Sequence, residues 1–305
     1  MFTFAREQKV IEIAGVKIGG QMGEYPTVVI PTIFYDGHKI VDVKNNTFDK
    51  KSAESLINEV EYIGDETKNP YLFQVVGVTP DIMPKALDFV AEHTSAPIVI
   101  DSADKSARIA GLEHVTEAGY GHRVMYNAIN MLIDEHEINA LKNAEIEGVV
   151  ILAFNLQDYS VKARIDLLED GGGFIDRGLL EIAKECGFEK ILVDPGVQLV
   201  RQGAGASFRL LYVIKAKYGL PTGIGAHNVP SSWSWLKKRD KYTRQICDIS
   251  SNVIGITLGA DSLFIGPIEN AKYAMPTAAL VDLIAADSVK DFGIMPIDEH
   301  PFVLA

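Results

Sequence analysis

Eight short apolar runs, each followed by a segment of helical periodicity, set the strongest constraint on the fold of this 305-residue chain. The runs are rich in β-branched residues and too short for helices, which indicates parallel strands buried on both faces. Strict alternation of eight strands with eight helices predicts a parallel sheet, and eight strands close a (β/α)8 TIM barrel. The predicted strands are 27–34, 72–77, 97–101, 124–129, 148–155, 190–194, 222–228 and 262–267. The predicted helices are 51–63, 81–92, 105–118, 134–144, 176–186, 207–218, 238–258 and 274–285.

The main alternative fold is an open doubly wound sheet, which usually carries a G-x-G-x-x-G turn after its first strand. Here the first strand runs into TIFYDGHKI, which lacks that turn. Before it, residues 9–20 alternate apolar and polar around Ala14-Gly15, which predicts a β-hairpin that covers the bottom of the barrel. No repeat or linker divides the chain. We therefore expect one domain over residues 1–305, with residues 1–25 as an N-terminal hairpin extension.

Composition excludes several classes of function. A net charge of −12 argues against nucleic acid as a partner, because a phosphate backbone requires a basic surface. The two cysteines, Cys186 and Cys247, lie in no CxxC pattern, so we expect neither a disulfide framework nor a bound metal. No signal-like segment or membrane-length apolar stretch appears, so we expect a cytoplasmic protein without membrane insertion.

Four of the predicted strands end on a lone carboxylate or carboxamide: PIVID at Asp101, RVMYN at Asn127, KILVD at Asp194 and GIGAHN at Asn228. In a closed barrel these ends converge on one mouth, where active sites lie. A carboxylate accepts two parallel N–H bonds, and a carboxamide both donates and accepts. Any one of these residues alone would as readily cap a helix. Together they indicate a site for a flat, nitrogen-rich heterocycle.

The same residues carry a resemblance to a known family. The N-terminal MFTFAREQKVIEIAGVKIGGQMGEYPT, the TIFYDGHKI segment, the VIDS, YNAIN and LVDPG strand ends and GAHN closely resemble the H subunit of tetrahydromethanopterin S-methyltransferase. They also resemble its soluble bacterial relatives, the corrinoid:tetrahydrofolate methyltransferases of the glycine betaine type. The resemblance covers essentially the whole chain. The strand-end set is similar to the wider pterin-binding barrels, namely dihydropteroate synthase and methyltetrahydrofolate:corrinoid protein methyltransferase.

The resemblance implies roles for individual residues. In the pterin-binding barrels, polar residues that end the third, fourth and sixth strands hold the pterin ring, and Asp101, Asn127 and Asp194 match them. The asparagine after the seventh strand lies near pterin N5, and Asn228 matches it. As a neutral carboxamide, Asn228 would act catalytically by hydrogen bonding. Ser102 beside Asp101 and His227 beside Asn228 are further candidate contacts with the pterin.

Two loops offer additional candidate contacts, and each has a plainer explanation. RQGAGAS (201–207) lacks the lysine of a P-loop, and we interpret it as a mobile loop that brings Gln202 over the ring, although ordinary turn chemistry explains it nearly as well. In SSWSW (231–235), Trp233 offers an aromatic face to a flat ligand, or anchors the barrel wall or a subunit interface. The acids of DEHE (134–137) are typical of a helix start, where the helix dipole favours them, rather than of a metal site.

The activity implied by the resemblance is methyl transfer between a corrinoid and N5 of a tetrahydropterin, with tetrahydrofolate as the expected pterin. Such a displacement depends on alignment more than on a protein nucleophile. Asp36-Gly37-His38 begins the D-x-H-x-x-G motif of cobalamin-binding proteins, but Val41 stands at the glycine position. We therefore expect cobalamin to arrive on a separate corrinoid protein or to bind only transiently.

Three alternatives stay open on the sequence. The first is the archaeal type of catalytic subunit, which uses tetrahydromethanopterin within a membrane complex. The second is a condensing enzyme similar to dihydropteroate synthase, which would need a basic residue for a diphosphate that the GAHN segment does not supply. The third is a non-catalytic binding partner of a corrinoid protein. The related barrels also imply a homodimer.

Overall fold

The computed structural model describes residues 1–305, which form twelve strands and eleven α-helices. The strands are β1 (Val10–Ile13), β2 (Val16–Gly19), β3 (Val28–Ile33), β4 (Val41–Asp42), β5 (Thr47–Phe48), β6 (Phe73–Val76), β7 (Ile98–Asp101), β8 (Val124–Ile129), β9 (Gly148–Leu152), β10 (Ile191–Asp194), β11 (Gly223–Ile224) and β12 (Ser262–Pro267). The helices are α1 (Lys50–Thr67), α2 (Met83–His93), α3 (Lys105–Ala118), α4 (Glu135–Asn143), α5 (Val161–Glu169), α6 (Leu179–Glu185), α7 (Ala204–Tyr218), α8 (Asn228–Ser232), α9 (Ser234–Lys237), α10 (Lys241–Thr257) and α11 (Ala271–Val289).

Eight strands form one parallel sheet in the order β10-β9-β8-β7-β6-β3-β12-β11. A parallel bridge between Val193 and Thr222 joins the two ends of this sheet, so that the strands close on themselves. Each barrel strand is followed by helix, as the alternating pattern requires. The predicted (β/α)8 barrel is therefore confirmed.

The predicted strand boundaries fail at two places, β9 and β11. The strand β9 ends at Leu152, three residues early, and the Asn155 side chain then accepts hydrogen bonds from the amides of Gln157 and Asp158. The strand β11 ends at Ile224, because the chain turns into α8 through a bond from the Asn228 amide to the Gly225 carbonyl at 3.1 Å. Asn228 thus begins a short helix rather than ending a strand.

One substantial helix was not predicted. The helix α5 lies between the predicted strand 148–155 and the predicted helix 176–186. Its N-cap is Ser160, whose hydroxyl accepts the Ala163 amide at 3.1 Å. The two antiparallel strands β4 and β5 were also missed, in the connection between β3 and α1.

The N-terminal hairpin closes the amino-terminal end of the barrel. The strands β1 and β2 pair antiparallel, with Ile13 opposite Val16. Ile13 and Ile18 are fully buried and pack with side chains that point into the barrel, namely Val28, Leu72, Val99, Met125, Val150 and Leu192. The amide of Lys9 also donates to the Gly219 carbonyl at 2.8 Å. The predicted hairpin and its place under the barrel are both confirmed.

Two apolar layers hold the barrel together. Inward-facing side chains form the compact interior cluster above the hairpin, and outward-facing ones form a larger cluster against the surrounding helices. Because side chains alternate along a strand, β3, β7, β8, β9, β10 and β12 each contribute to both layers. No helix in the structure is both long and apolar enough to cross a membrane.

Candidate active site

The candidate site is the last inward-facing layer of the barrel. In β7, Val99 belongs to the apolar interior, and Asp101 is the next residue that points the same way. The same step of two leads from Met125 to Asn127 in β8. Six side chains form this layer at the carboxyl ends of the strands: Thr32, Gln74, Asp101, Asn127, Leu152 and Asp194.

These side chains line a cavity of about 760 Å³, here called the barrel cavity. Asn228 and His227, from the connection after β11, lie on its rim. The pairing register shifts at two strands that line it, between Asn127 and Ile129 in β8 and between Phe264 and Gly266 in β12. Such bulges occur beside active sites, where they re-aim a side chain. The structure thus brings Asp101, Asn127, Asp194 and Asn228 to one cavity.

Asp101 is held by a row of side chains across neighbouring strands. The Gln74 amide donates from Nε2 to Asp101 Oδ2 at 2.6 Å, and the Thr32 hydroxyl donates to Gln74 Oε1 at 2.5 Å. Burial raises the pKa of Asp101 to about 6, although the nearby Arg108 guanidinium lowers it. Sequence reasoning missed Gln74. The sequence feature that could have identified Gln74 is its position as the single polar residue in the apolar run of β6, two residues after the inward-facing Leu72.

Asp194 is fixed by the turn that follows it. The Gly196 amide donates to Asp194 Oδ1 at 2.7 Å. Burial raises the pKa of Asp194 to about 7; the Gly196 bond and Arg164 oppose this shift, while the charge of Asp101 adds to it. Both carboxylates are half-buried in a shared cavity, so each makes ionisation of the other less favourable.

Arg164, on the unpredicted helix α5, supports this turn from behind. Its side chain is fully buried, and Nη1 donates to the carbonyls of Pro195 at 2.9 Å and Gly196 at 3.1 Å. The same nitrogen donates to the Ser207 hydroxyl at 2.9 Å. Arg164 therefore ties α5, the turn after β10 and α7 together. No sequence pattern pointed to this residue, because the helix that carries it was not recognised.

His227 and Asn228 lie on the rim after β11, the strand that closes the barrel beside β10 and Asp194. His227 Nδ1 lies 2.8 Å from the Phe264 carbonyl oxygen, which assigns the ring proton to Nδ1 and leaves Nε2 as an acceptor. Burial lowers the pKa of His227, which favours the neutral ring. Gly266 makes room for it: its φ is +67°, and a Cβ there would lie 2.8 Å from His227 Nε2.

Ser102 lines the barrel cavity, but its hydroxyl is already engaged. It donates to the Gly77 carbonyl at 2.6 Å and accepts the Asp104 amide at 3.1 Å. Asp104 in turn caps α3 by accepting the Ser106 amide. The contacts of Ser102 thus belong to the turn between β7 and α3.

The remaining sequence candidates lie outside the barrel cavity. Gln202 is exposed in the turn before α7, where its backbone amide donates to the Leu199 carbonyl. Trp233 stacks on Trp235, with ring centroids 4.8 Å apart, and is 40% exposed. His38, from the partial cobalamin motif, is buried and accepts the Phe34 amide at Nδ1.

A buried ion pair that the sequence did not predict forms part of the cavity wall. Arg108 Nη2 donates to Glu137 Oε1 at 2.6 Å, and the hydroxyl of Tyr126 bonds to the same carboxylate. Glu137 comes from the acidic DEHE segment. Asp134 of that segment caps α4 by accepting the Glu137 amide at 3.0 Å, as the helix-start interpretation predicts.

Comparison with known proteins gives a consistent set of similarities. The family model of the tetrahydromethanopterin S-methyltransferase MtrH subunit matches residues 6–297. The chain is 47% identical to the H subunit of tetrahydromethanopterin S-methyltransferase from Methanothermobacter marburgensis, over 99% of each chain. It is 44% identical to the H subunit of a putative mtx methyltransferase from Methanosarcina barkeri, over 100% of this chain and 99% of that protein.

Among solved structures, the fold is similar to dihydropteroate synthase from Xanthomonas albilineans. The TM-score is 0.62 over 93% of this chain and 99% of that one, at 16% sequence identity. At this identity the likeness concerns the barrel fold alone.

Proposed function

We propose that this chain moves a methyl group between a corrinoid and N5 of a tetrahydropterin. The chain belongs to the family of the tetrahydromethanopterin S-methyltransferase MtrH subunit. The family makes the chain a methyltransferase. The observation that carries the finer proposal is the convergence of Asp101, Asn127, Asp194 and Asn228 on one barrel cavity.

The chemistry of the cavity suits the edge of a pterin ring. A reduced pterin presents N–H donors at its 2-amino group and N3, and an acceptor at O4. Asp101 and Asp194 supply carboxylate oxygens for the donors, and the Asn127 carboxamide serves a donor or an acceptor. Since Gln74 occupies one oxygen of Asp101, the second oxygen is the one available to the ring. The three side chains would grip the ring, and none of them needs to react.

Asn228 is the proposed contact at the reacting nitrogen. A corrinoid supplied by another protein would donate or accept the methyl group, and the electron pair of the Co–C bond would stay on the corrinoid when the methyl group leaves it. N5 would lose its proton when it is methylated and regain one when it is demethylated. A hydrogen bond from the Asn228 carboxamide can stabilise charge that changes on N5 during transfer. A Cβ at Gly225 would lie 3.1 Å from Asn228 Nδ2, so this glycine leaves the carboxamide its place.

Two tetrahydropterins are candidates. Tetrahydrofolate is the pterin expected from the sequence, and the names of the relatives refer to tetrahydromethanopterin. The proposed contacts involve the ring edge that both pterins share. We therefore propose a tetrahydropterin as substrate, and both compounds are needed to test it.

We also propose a corrinoid protein and a second copy of this chain as partners. The relatives are named as subunits, which supports assembly with other chains. The barrel cavity opens at the carboxyl ends of the strands, so a corrinoid carried by another protein would approach from that side. An exposed apolar face on α10 and α11 supports the homodimer.

The proposal is tested by absorbance spectroscopy of methylcobalamin mixed with the protein and either tetrahydropterin. We expect loss of the methyl-cobalt spectrum together with formation of the N5-methylated pterin. Isothermal titration with the same pterins is the companion measurement. Absence of conversion with both pterins would overturn the proposed transferase, and pterin binding in that case would select the non-catalytic partner of a corrinoid protein.

A further inference from the structure

A second cavity, of about 420 Å³, adjoins the barrel cavity on the side of the rim. His227 and Pro267 line both cavities, so the two lie next to each other there. The second one, here called the basic groove, is lined by polar and charged side chains of α8 to α10 and of the turn after β12: Ser231, Lys237, Lys241, Arg244, Gln245, Asp248 and Asn270.

The charge of this groove runs against that of the whole chain. The protein carries a net charge of −12, yet residues 237–244 read KKRDKYTR, with five basic residues and one acid. The acid, Asp240, is used as the N-cap of α10, where it accepts the Thr243 amide at 3.0 Å. None of the five basic side chains forms an ion pair within the protein.

Three of these cations, Lys237, Lys241 and Arg244, face the groove. Lys241, Arg244 and Asp248 are spaced three and four residues apart, which places them on one side of α10. Lys237 adds a third cation from α9. Asp248 is the single carboxylate of the groove, and its oxygen Oδ1 is buried without a partner. Three cations against one acid leave a positive groove beside the barrel cavity.

We infer that the basic groove binds the anionic side arm of the tetrahydropterin. The inference rests on the proposed function, which places N5 of the ring at Asn228. The arm is attached at C6, the atom bonded to N5, so it leaves the ring on the side of Asn228 and His227. That is where the basic groove begins. The arms of tetrahydrofolate and tetrahydromethanopterin both end in carboxylate or phosphate groups, which lysine and arginine recognise.

Lys241 and Arg244 would then determine specificity for the arm, and the barrel cavity would bind the ring. The two contributions separate if pterins with different arms are compared. The probes are 6-methyltetrahydropterin, which has no acidic arm, tetrahydrofolate, with one glutamate, and its triglutamate form. Binding to the wild-type protein should strengthen in that order, and added salt should reduce the gain.

The test compares Lys241→Gln and Arg244→Gln with the wild type by isothermal titration at low ionic strength. Each substitution should weaken triglutamate binding by roughly two- to fivefold and leave 6-methyltetrahydropterin unchanged. Lys238→Gln is the matched control, because Lys238 is a neighbouring exposed lysine that does not line the groove. It should bind all three probes as the wild type does.

Each outcome discriminates. If no probe binds, including 6-methyltetrahydropterin, the proposed function fails together with the inference. If the ring binds but the acidic arm adds no affinity, or the groove variants respond to it as the wild type does, the inference alone is overturned. An equal loss in Lys238→Gln would reduce the effect to net charge and would also overturn it.

Discussion

Asp194 holds a proton that an ordinary aspartate would release. Its pKa is raised from 3.8 to about 7, mainly because burial disfavours the carboxylate. The folded protein therefore keeps the group protonated up to about pH 7, whereas the unfolded chain ionises near pH 4. The stabilisation from this retained proton is complete below pH 4 and is lost as the pH rises through 7. In the proposed function the ionised form is the one that accepts N–H groups of the pterin.

This conflict between stability and binding gives the first prediction. Asp194→Asn should raise the free energy of unfolding at pH 8 by about 1–2 kcal/mol, and by much less at pH 4.5, because the amide cannot ionise. The same variant should lose pterin binding. Urea unfolding at the two pH values and isothermal titration at pH 8 are the measurements. Equal stability effects at both pH values would contradict the raised pKa.

Asn228 and Asp194 should differ in the kinetic step that they affect. Asn228 is exposed at the rim, next to the proposed position of N5, and Asp194 lies in the floor of the barrel cavity. Asn228→Ala should therefore lower kcat by about 10²-fold with little change in pterin affinity, as expected when a transition-state hydrogen bond is removed. Asp194→Ala should mainly weaken pterin binding. The reverse pattern in steady-state kinetics and titration would reassign the two roles.

At the scale of elements, the barrel and its rim differ in how much the sequence predicts. Strand positions such as Asp101 and Asn127 follow from short apolar runs, because burial on both faces leaves a strong pattern. The helix α5 was not predicted, because its N-cap Ser160 lies among the polar residues of a long connection. The role of Gln74 was not predicted, because one polar residue in an apolar strand does not indicate which side chains it will bond to. Arg164 acts through contacts between elements, which no local pattern records.

The hairpin of β1 and β2 should stabilise the barrel without contributing to the site. Ile18 is fully buried among inward-facing side chains at the amino-terminal end, and the barrel cavity lies at the other end. Ile18→Ala should lower the free energy of unfolding by about 2–4 kcal/mol through lost burial and the resulting cavity. Pterin affinity should stay at the wild-type value. Val10→Ala, at a site that is 38% exposed on the same hairpin, is the control. A changed affinity in Ile18→Ala would contradict this separation.

At the scale of the whole molecule, one surface stands out for its apolar character. The helices α10 and α11 pack side by side, and both carry large exposed apolar side chains: Tyr242, Ile246 and Ile254 on α10, and Tyr273, Leu280 and Ile284 on α11. Those on α10 lie on a different side of the helix from Lys241 and Arg244. An apolar face on a chain with net charge −12 is typical of an interface. This face supports the proposed homodimer, and a two-fold arrangement would set it against its own copy.

The dimer is tested by size-exclusion chromatography with light scattering at micromolar concentration. The wild-type protein should elute with twice the mass of one chain. Ile284→Glu should elute as a monomer. In a two-fold dimer the introduced carboxylate would be buried against an apolar side chain or against the same carboxylate of the other copy, and neither can compensate its charge. Phe174→Glu, at a partly exposed residue between α5 and α6, is the control and should remain a dimer. A monomeric wild type would overturn the homodimer, and a dimer that persists in Ile284→Glu would place its interface elsewhere. Since the basic groove and this face occupy different sides of α10, Ile284→Glu should also keep the wild-type affinity for the triglutamate pterin.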